Sequence, residues 1–135
     1  GPLEQQRSRL GLEGKVLMPG FRPDVPELLD FFDIYAVPSH MEGLNPSLLD
    51  ALAMRKPVAA CAAGGIPEIV RDGETGLLVP PREPEKLADA IVKLIENPGR
   101  GREMARAGRC LVEREFSVDS MVEGTLRVYR DVRSG

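Results

Sequence analysis

The chain has no tryptophan, one histidine, two cysteines and an aromatic content of 4% in 135 residues. So sparse a set of rings argues against the stacked platforms by which single-stranded nucleic acid is held. Cys61 and Cys110 are too few and too far apart for a disulfide framework or a zinc site, and they point to a reducing compartment. Charge of one sign is missing as well: 18 basic and 21 acidic residues leave a net −3. That balance draws neither nucleic acid nor an anionic membrane without specificity. No apolar run approaches the length of a membrane span, and the first residues do not resemble a signal peptide. These absences lead to the expectation of a soluble, cytoplasmic protein with no nucleic-acid partner and no transmembrane segment. Gly1-Pro2 reads either as native or as the remnant of a cleaved tag.

What is present suits one compact unit, since 135 residues are enough for one real core and short for two. Short apolar runs alternate with helical patterns, the signature of a parallel sheet covered by helices. The expected fold class is α/β, a partial doubly wound parallel sheet of about four strands with helices on both faces and more helices at the C-terminal end. The strand candidates are Val16 to Pro19, Ile34 to Val37, Pro57 to Cys61 and Leu77 to Val79. Between them Pro26 opens a helix through about Phe32, Pro46 to Arg55 reads as helical, and Pro67 begins a short helix. Arg71 to Gly76, RDGETG, is a strong turn signal. Beyond Pro81 only helices are expected. Leu87, Ala90, Ile91, Leu94 and Ile95 form a core-facing stripe on a helix from Glu85 to Glu96, which Asn97-Pro98-Gly99 stops. A second helix, from about Arg102 to Glu115, carries Met104, Leu111 and Val112, and Ser117 is placed to cap a third that ends near Val132. The charges on these helices read as solvated faces.

In an open parallel sheet, ligands bind outside the carboxyl ends of the strands. Three loops are expected to leave strand ends on one edge: Gly20-Phe21-Arg22, Ser39-His40-Met41-Glu42-Gly43 and Ala63-Gly64-Gly65. The middle loop leads into a helix with Asn45 as its expected N-cap and Pro46 at the first helical position. Free N–H groups and the positive end of the helix dipole then face the loop, a ready place for phosphate. Glu42 in that loop and Asp50 about one turn into the helix need a separate explanation, because phosphate does not favour negative neighbours. Ionised carboxylates only accept hydrogen bonds, and neighbouring sugar hydroxyls are good donors to them. Phosphate flanked by two hydroxyl-rich groups describes a nucleotide sugar. On spacing alone a plainer alternative stands beside it, with Glu42 on the surface and Asp50 merely complementing the helix dipole. His40 is expected in the wall of the site rather than as a general base. Gly64-Gly65 either borders the sugar or forms a tight turn, Glu68 supports a helix start, and Cys61 is a small buried hydrophobe. No Asp-x-Asp motif occurs and no acidic spacing suggests a closed metal site, so neither metal nor cofactor is expected.

Residues 38 to 54, PSHMEGLNPSLLDALAM, resemble the glutamate-x7-glutamate signature of retaining glycosyltransferases built from two Rossmann-like domains, the family-four class of nucleotide-sugar transferases. The upstream MPGFRPDVPELLDFFDIYAVPS and the downstream KPVAACAAGGIPEIVRDGETGLLVP resemble the same family, and Phe116-Ser117 and Tyr129 fit its closing helices. The resemblance implies a partial, Rossmann-like, nucleotide-sugar-binding C-terminal domain over residues 1–135, with the acceptor domain and the first strands upstream. It implies that Glu42 contacts the donor sugar near the reacting carbon, as the catalytic residue. Backbone amides of Gly43, Leu44 and Asn45 would hold the diphosphate, with Ser39, Gly64 and Gly65 lining the site. Asp50 would grip the ribose diol, and Gly20, Phe21 and Arg22 would lie along the base. The partners implied are a nucleoside-diphosphate sugar, as substrate, and an unidentified acceptor.

The sequence departs from the family pattern at Asp50, where glutamate is usual. Aspartate keeps the charge but is one methylene shorter, so the ribose contact is the point at issue. In the strand order 3-2-1-4-5-6, a chain without strands 1 and 2 leaves Val16 to Pro19 without its neighbour and bares the edge of Ile34 to Val37. The expectation is that the first strand moves across to that edge or that two copies associate through it. This chain alone is expected to be inactive. The alternative is a non-catalytic nucleotide-binding or interaction module of the same fold.

Overall fold

The computed structural model describes residues 1–41 and 46–134. Three parallel strands, β1 (Tyr35–Val37), β2 (Val58–Cys61) and β3 (Leu77–Val79), lie in the order β1-β2-β3. Tyr35 pairs with Val58 and Ala59 with Leu77. The helices are α1 (Pro2–Arg9), α2 (Val25–Phe31), α3 (Pro46–Ala53), α4 (Ile66–Ile69), α5 (Pro84–Glu96), α6 (Pro98–Glu115) and α7 (Val118–Ser134).

The expected α/β class is what forms, with one strand fewer among the described residues. Val16 to Pro19 is not a strand, and it has not moved to the open edge of β1. Strand N–H and C=O groups need a ladder partner, and no described strand lies beside this segment. Leu17 is left 85% exposed, while Val16 and Met18 are partly covered at 39% and 38%. Gly1 is the N-cap of α1, and Pro2 sits in its first turn as its fixed φ allows. Asn97-Pro98-Gly99 ends α5 as expected but also starts α6 at once, four residues earlier than the apolar pattern showed.

Every residue of β2 is buried, as befits a central parallel strand covered on both faces. On one face Val58 and Ala60 pack with Val37, Leu48, Leu52, Ile66 and Ile69, which brings α3 and α4 onto the sheet. On the other, Ala59 and Cys61 pack with Val79 of β3, Leu87, Ala90 and Leu94 of α5 and Met104 of α6. The stripe on α5 therefore holds through Leu94, while Ile95 in the last turn is 64% exposed. Close approach of α6 depends on Gly108, where an added Cβ would sit 2.7 Å from Leu52 Cδ2.

α3 ends in a Schellman motif. Lys56 N–H donates to Ala51 O at 2.9 Å and Arg55 N–H to Leu52 O at 3.0 Å, with Arg55 itself at φ 58°. α1 ends in the same pattern, with Leu12 N–H on Arg7 O and Gly11 at φ 64°. Only the second of these positions has the residue for which the conformation is free of steric cost.

Candidate functional site

Because β1 and β2 are parallel and adjacent, the segments that leave their carboxyl ends share one edge of the sheet. After Val37 come Pro38 and the half-buried Ser39, then His40 and Met41, both exposed. After Cys61 come Ala62, Ala63, Gly64 and Gly65. Gly64 has φ 54°, a left-handed value that a side chain would strain, and Gly65 is the N-cap of α4. Ile66 N–H donates to Ala63 O at 3.1 Å and Glu68 N–H to Gly65 O at 3.1 Å, so the pair forms a tight turn. Glu68 lies exposed in the first turn of α4.

α3 begins on the same edge, since it follows the β1 exit loop. Its buried face is Leu48, Ala51 and Leu52, which leaves Asp50 exposed on the fifth helical residue. The first turn of α3 holds no acidic residue. A dipole contribution falls off beyond that turn, so electrostatic support of the helix start explains Asp50 poorly.

Glu42, Gly43, Leu44 and Asn45, the expected catalytic carboxylate, phosphate amides and N-cap, lie outside the described residues. Gly20-Phe21-Arg22 is described, but it follows no strand, so the sheet topology does not bring it to the edge shared by the other loops. Gly20 turns the chain at φ 72° and Phe21 is 92% exposed. Reading the sequence missed how Arg22 is engaged: its guanidinium grips Asp24 in a two-pronged pair, with Nε donating to Oδ1 at 2.8 Å and Nη2 to Oδ2. Asp24 holds the Arg22 pKa above its ordinary value, and Arg22 holds the Asp24 carboxyl below its own. The signal was the Arg-Pro-Asp spacing, which places both partners on one turn of a loop.

Cys61 is buried and free, and burial pushes its thiol pKa up, which makes it unreactive. Among the described residues no three His, Cys, Asp or Glu side chains gather as metal ligands. No helix among them is long and apolar enough to cross a membrane.

A three-stranded parallel sheet with helices on both faces is a doubly wound α/β arrangement, the class in which ligands bind outside the carboxyl ends of the strands. The family model described as glycosyl transferases group 1 matches residues 1–97, and the chain belongs to that family. It is 40% identical over 116 residues to D-inositol 3-phosphate glycosyltransferase of Acidothermus cellulolyticus, a match covering 82% of this chain and 25% of that protein. Among solved structures, Anabaena HepE in complex with UDP superposes with a TM-score of 0.89 at 32% identity, covering 96% of this chain and 36% of that one. A C-terminal domain of the group 1 protein LpcC from Francisella tularensis gives 0.79 at 32% identity, over 87% of this chain and 62% of that one. The chain thus spans between a quarter and about a third of the length of the curated relatives it matches. The fold is the Rossmann-like one of those neighbours.

Proposed function

We propose that this chain is the donor-binding part of a retaining glycosyltransferase, which moves a sugar from a nucleoside diphosphate to an acceptor. The observation that carries the reading is the close superposition on HepE, which was solved with UDP and with UDP-glucose. The shared edge of the β1 and β2 loops supports it, as does the outward Asp50 on α3. In this reading Glu42 meets the donor sugar, the amides of Gly43, Leu44 and Asn45 hold the diphosphate, and Asp50 accepts from the ribose diol. Ser39, Gly64 and Gly65 wall the sugar, and Gly20, Phe21 and Arg22 lie along the base, which requires their loop to swing toward the edge. The donor is a substrate, not a cofactor.

Transfer with retention breaks the bond from the anomeric carbon to the phosphate oxygen and forms one to the acceptor oxygen on the same face. The acceptor proton goes to the departing phosphate, so no base is required of this half of the molecule. The parent protein is placed in the cytoplasm, where an exposed free thiol such as Cys110 persists. In isolation the chain is inactive and self-associates through the open edge of β1.

Calorimetric titration of the intact parent protein with UDP, GDP and ADP sugars tests the proposal. Heat from one donor and turnover with an acceptor are expected. Absence of heat with every donor would remove the proposal, and binding without turnover would select a non-catalytic module, the reading that the short Asp50 side chain favours.

A further inference from the structure

The two edge strands of the sheet are not treated alike. Tyr35 N–H donates inward to Pro57 O at 2.9 Å, so the alternation of a parallel ladder turns Ala36 outward from β1. Val79 O accepts inward from Ala62 N–H at 2.8 Å, so Leu78 is the outward residue of β3. Ala36 N–H has no partner among the described residues. Leu78 N–H donates to Asp72 Oδ1 at 2.9 Å.

Asp72 is delivered there by a braced turn. Gly73 N–H donates to Gly76 O at 2.8 Å, Thr75 N–H to Arg71 O at 3.0 Å, and Arg71 N–H to the buried Thr75 Oγ1 at 2.8 Å. From α6, Arg100 donates to the Gly73 carbonyl. Beside β3 runs a groove of about 370 Å³ lined by Leu78, Asp72, Lys86 and Lys93. There is room along this edge, and what is withheld is its backbone donor. Exposed strand edges are templates for pairing with other chains, and inward-directed charge is one way to blunt them.

We propose that Asp72 is a stop that closes the β3 edge to strand addition, and that removing it opens this edge to a strand of a second copy. Amide hydrogen exchange on the dilute wild-type chain is the first test. Although both residues face outward from edge strands, Leu78 should exchange at least about tenfold more slowly than Ala36, the effect of one bond to a charged acceptor. In Asp72→Ala, Leu78 exchange should rise about tenfold or more, and the weight-average mass in sedimentation should climb with concentration beyond the wild type. Asp72→Asn keeps an oxygen acceptor and should retain the wild-type mass. Equal exchange at Leu78 and Ala36 in the wild type would overturn the proposal even if Asp72→Ala fails to fold, and so would wild-type mass for Asp72→Ala at every concentration.

Discussion

Before β1 Leu29 is the one buried apolar side chain among the described residues, whereas from β1 through α6 the same kinds of side chain fill the core. In the first region Leu17, Phe21 and Phe31 are 85%, 92% and 82% exposed, whereas in the second Leu48, Leu52, Val58 and Ile66 are fully buried. Residue type is therefore not what separates them. β2 has a strand on either side and a helix layer on each face, so each apolar group that turns from it meets another. Val16 to Pro19 has no such neighbour among the described residues, and its apolar character goes unused. Hydrophobicity is carried by the chain itself, but burial requires a partner.

Substitutions should reveal that contrast, most strongly in the packed region. Leu52→Ala should cost about 2 to 5 kcal/mol of unfolding free energy, because Leu52 is fully buried between α3, the sheet and α6. Leu17→Ala should change stability by less than about 0.5 kcal/mol. Denaturant midpoints at constant slope measure both, and similar losses would erase the distinction. Gly108→Val is the next largest, about 1 to 3 kcal/mol, since α6 has no space for a side chain beside Leu52.

Smaller and opposite in sign is the helix cap. Arg55 adopts φ 58° at the end of α3, a conformation that costs a side chain about 1 to 2 kcal/mol. Glycine would remove that cost at the expense of about 0.5 to 1 kcal/mol of extra unfolded-state freedom. Arg55→Gly should therefore stabilise the chain by about 0.5 to 1 kcal/mol. Gly11→Arg, at the matching position of α1, should not, and thermal melts of the two variants compare the regions directly.

The smallest effect expected is acid sensitivity at the end of α6. Arg114 and Arg71 hold the Glu115 carboxyl below its ordinary value. A carboxylate with a lowered folded pKa stabilises above its unfolded value and loses that contribution as pH falls through the folded one. The Glu115 contribution should thus be complete at neutral pH and fade as pH falls below the ordinary range of a glutamate carboxyl. The melting difference between wild type and Glu115→Gln should shrink over that range, by a small amount because the pair is exposed.

Legibility followed the same line. The strands Ile34 to Val37, Pro57 to Cys61 and Leu77 to Val79 could be read because short apolar runs between turn signals leave few other options, and β3 spans Leu77–Val79 as expected. The strand expected at Val16 to Pro19 failed for want of a neighbour, which no local pattern encodes. Helix α1 was missed because its buried face is empty, so no stripe announces it. At the site, the shared edge of the β1 and β2 loops follows from parallel order. The Arg22–Asp24 clasp is local and its signal lies in the Arg-Pro-Asp spacing, whereas the missing strand before Gly20 depends on a neighbour, of which periodicity carries no trace.

The central claim is that Glu42 and Asp50 serve different parts of one donor. It is tested most directly in the intact parent protein by measuring turnover and nucleoside diphosphate affinity for Glu42→Ala and Asp50→Ala. Glu42→Ala should reduce turnover far more than affinity, whereas Asp50→Ala should weaken nucleoside diphosphate binding about tenfold to a hundredfold, the loss of one charge-assisted hydrogen bond. Equal and small effects from both would contradict the account.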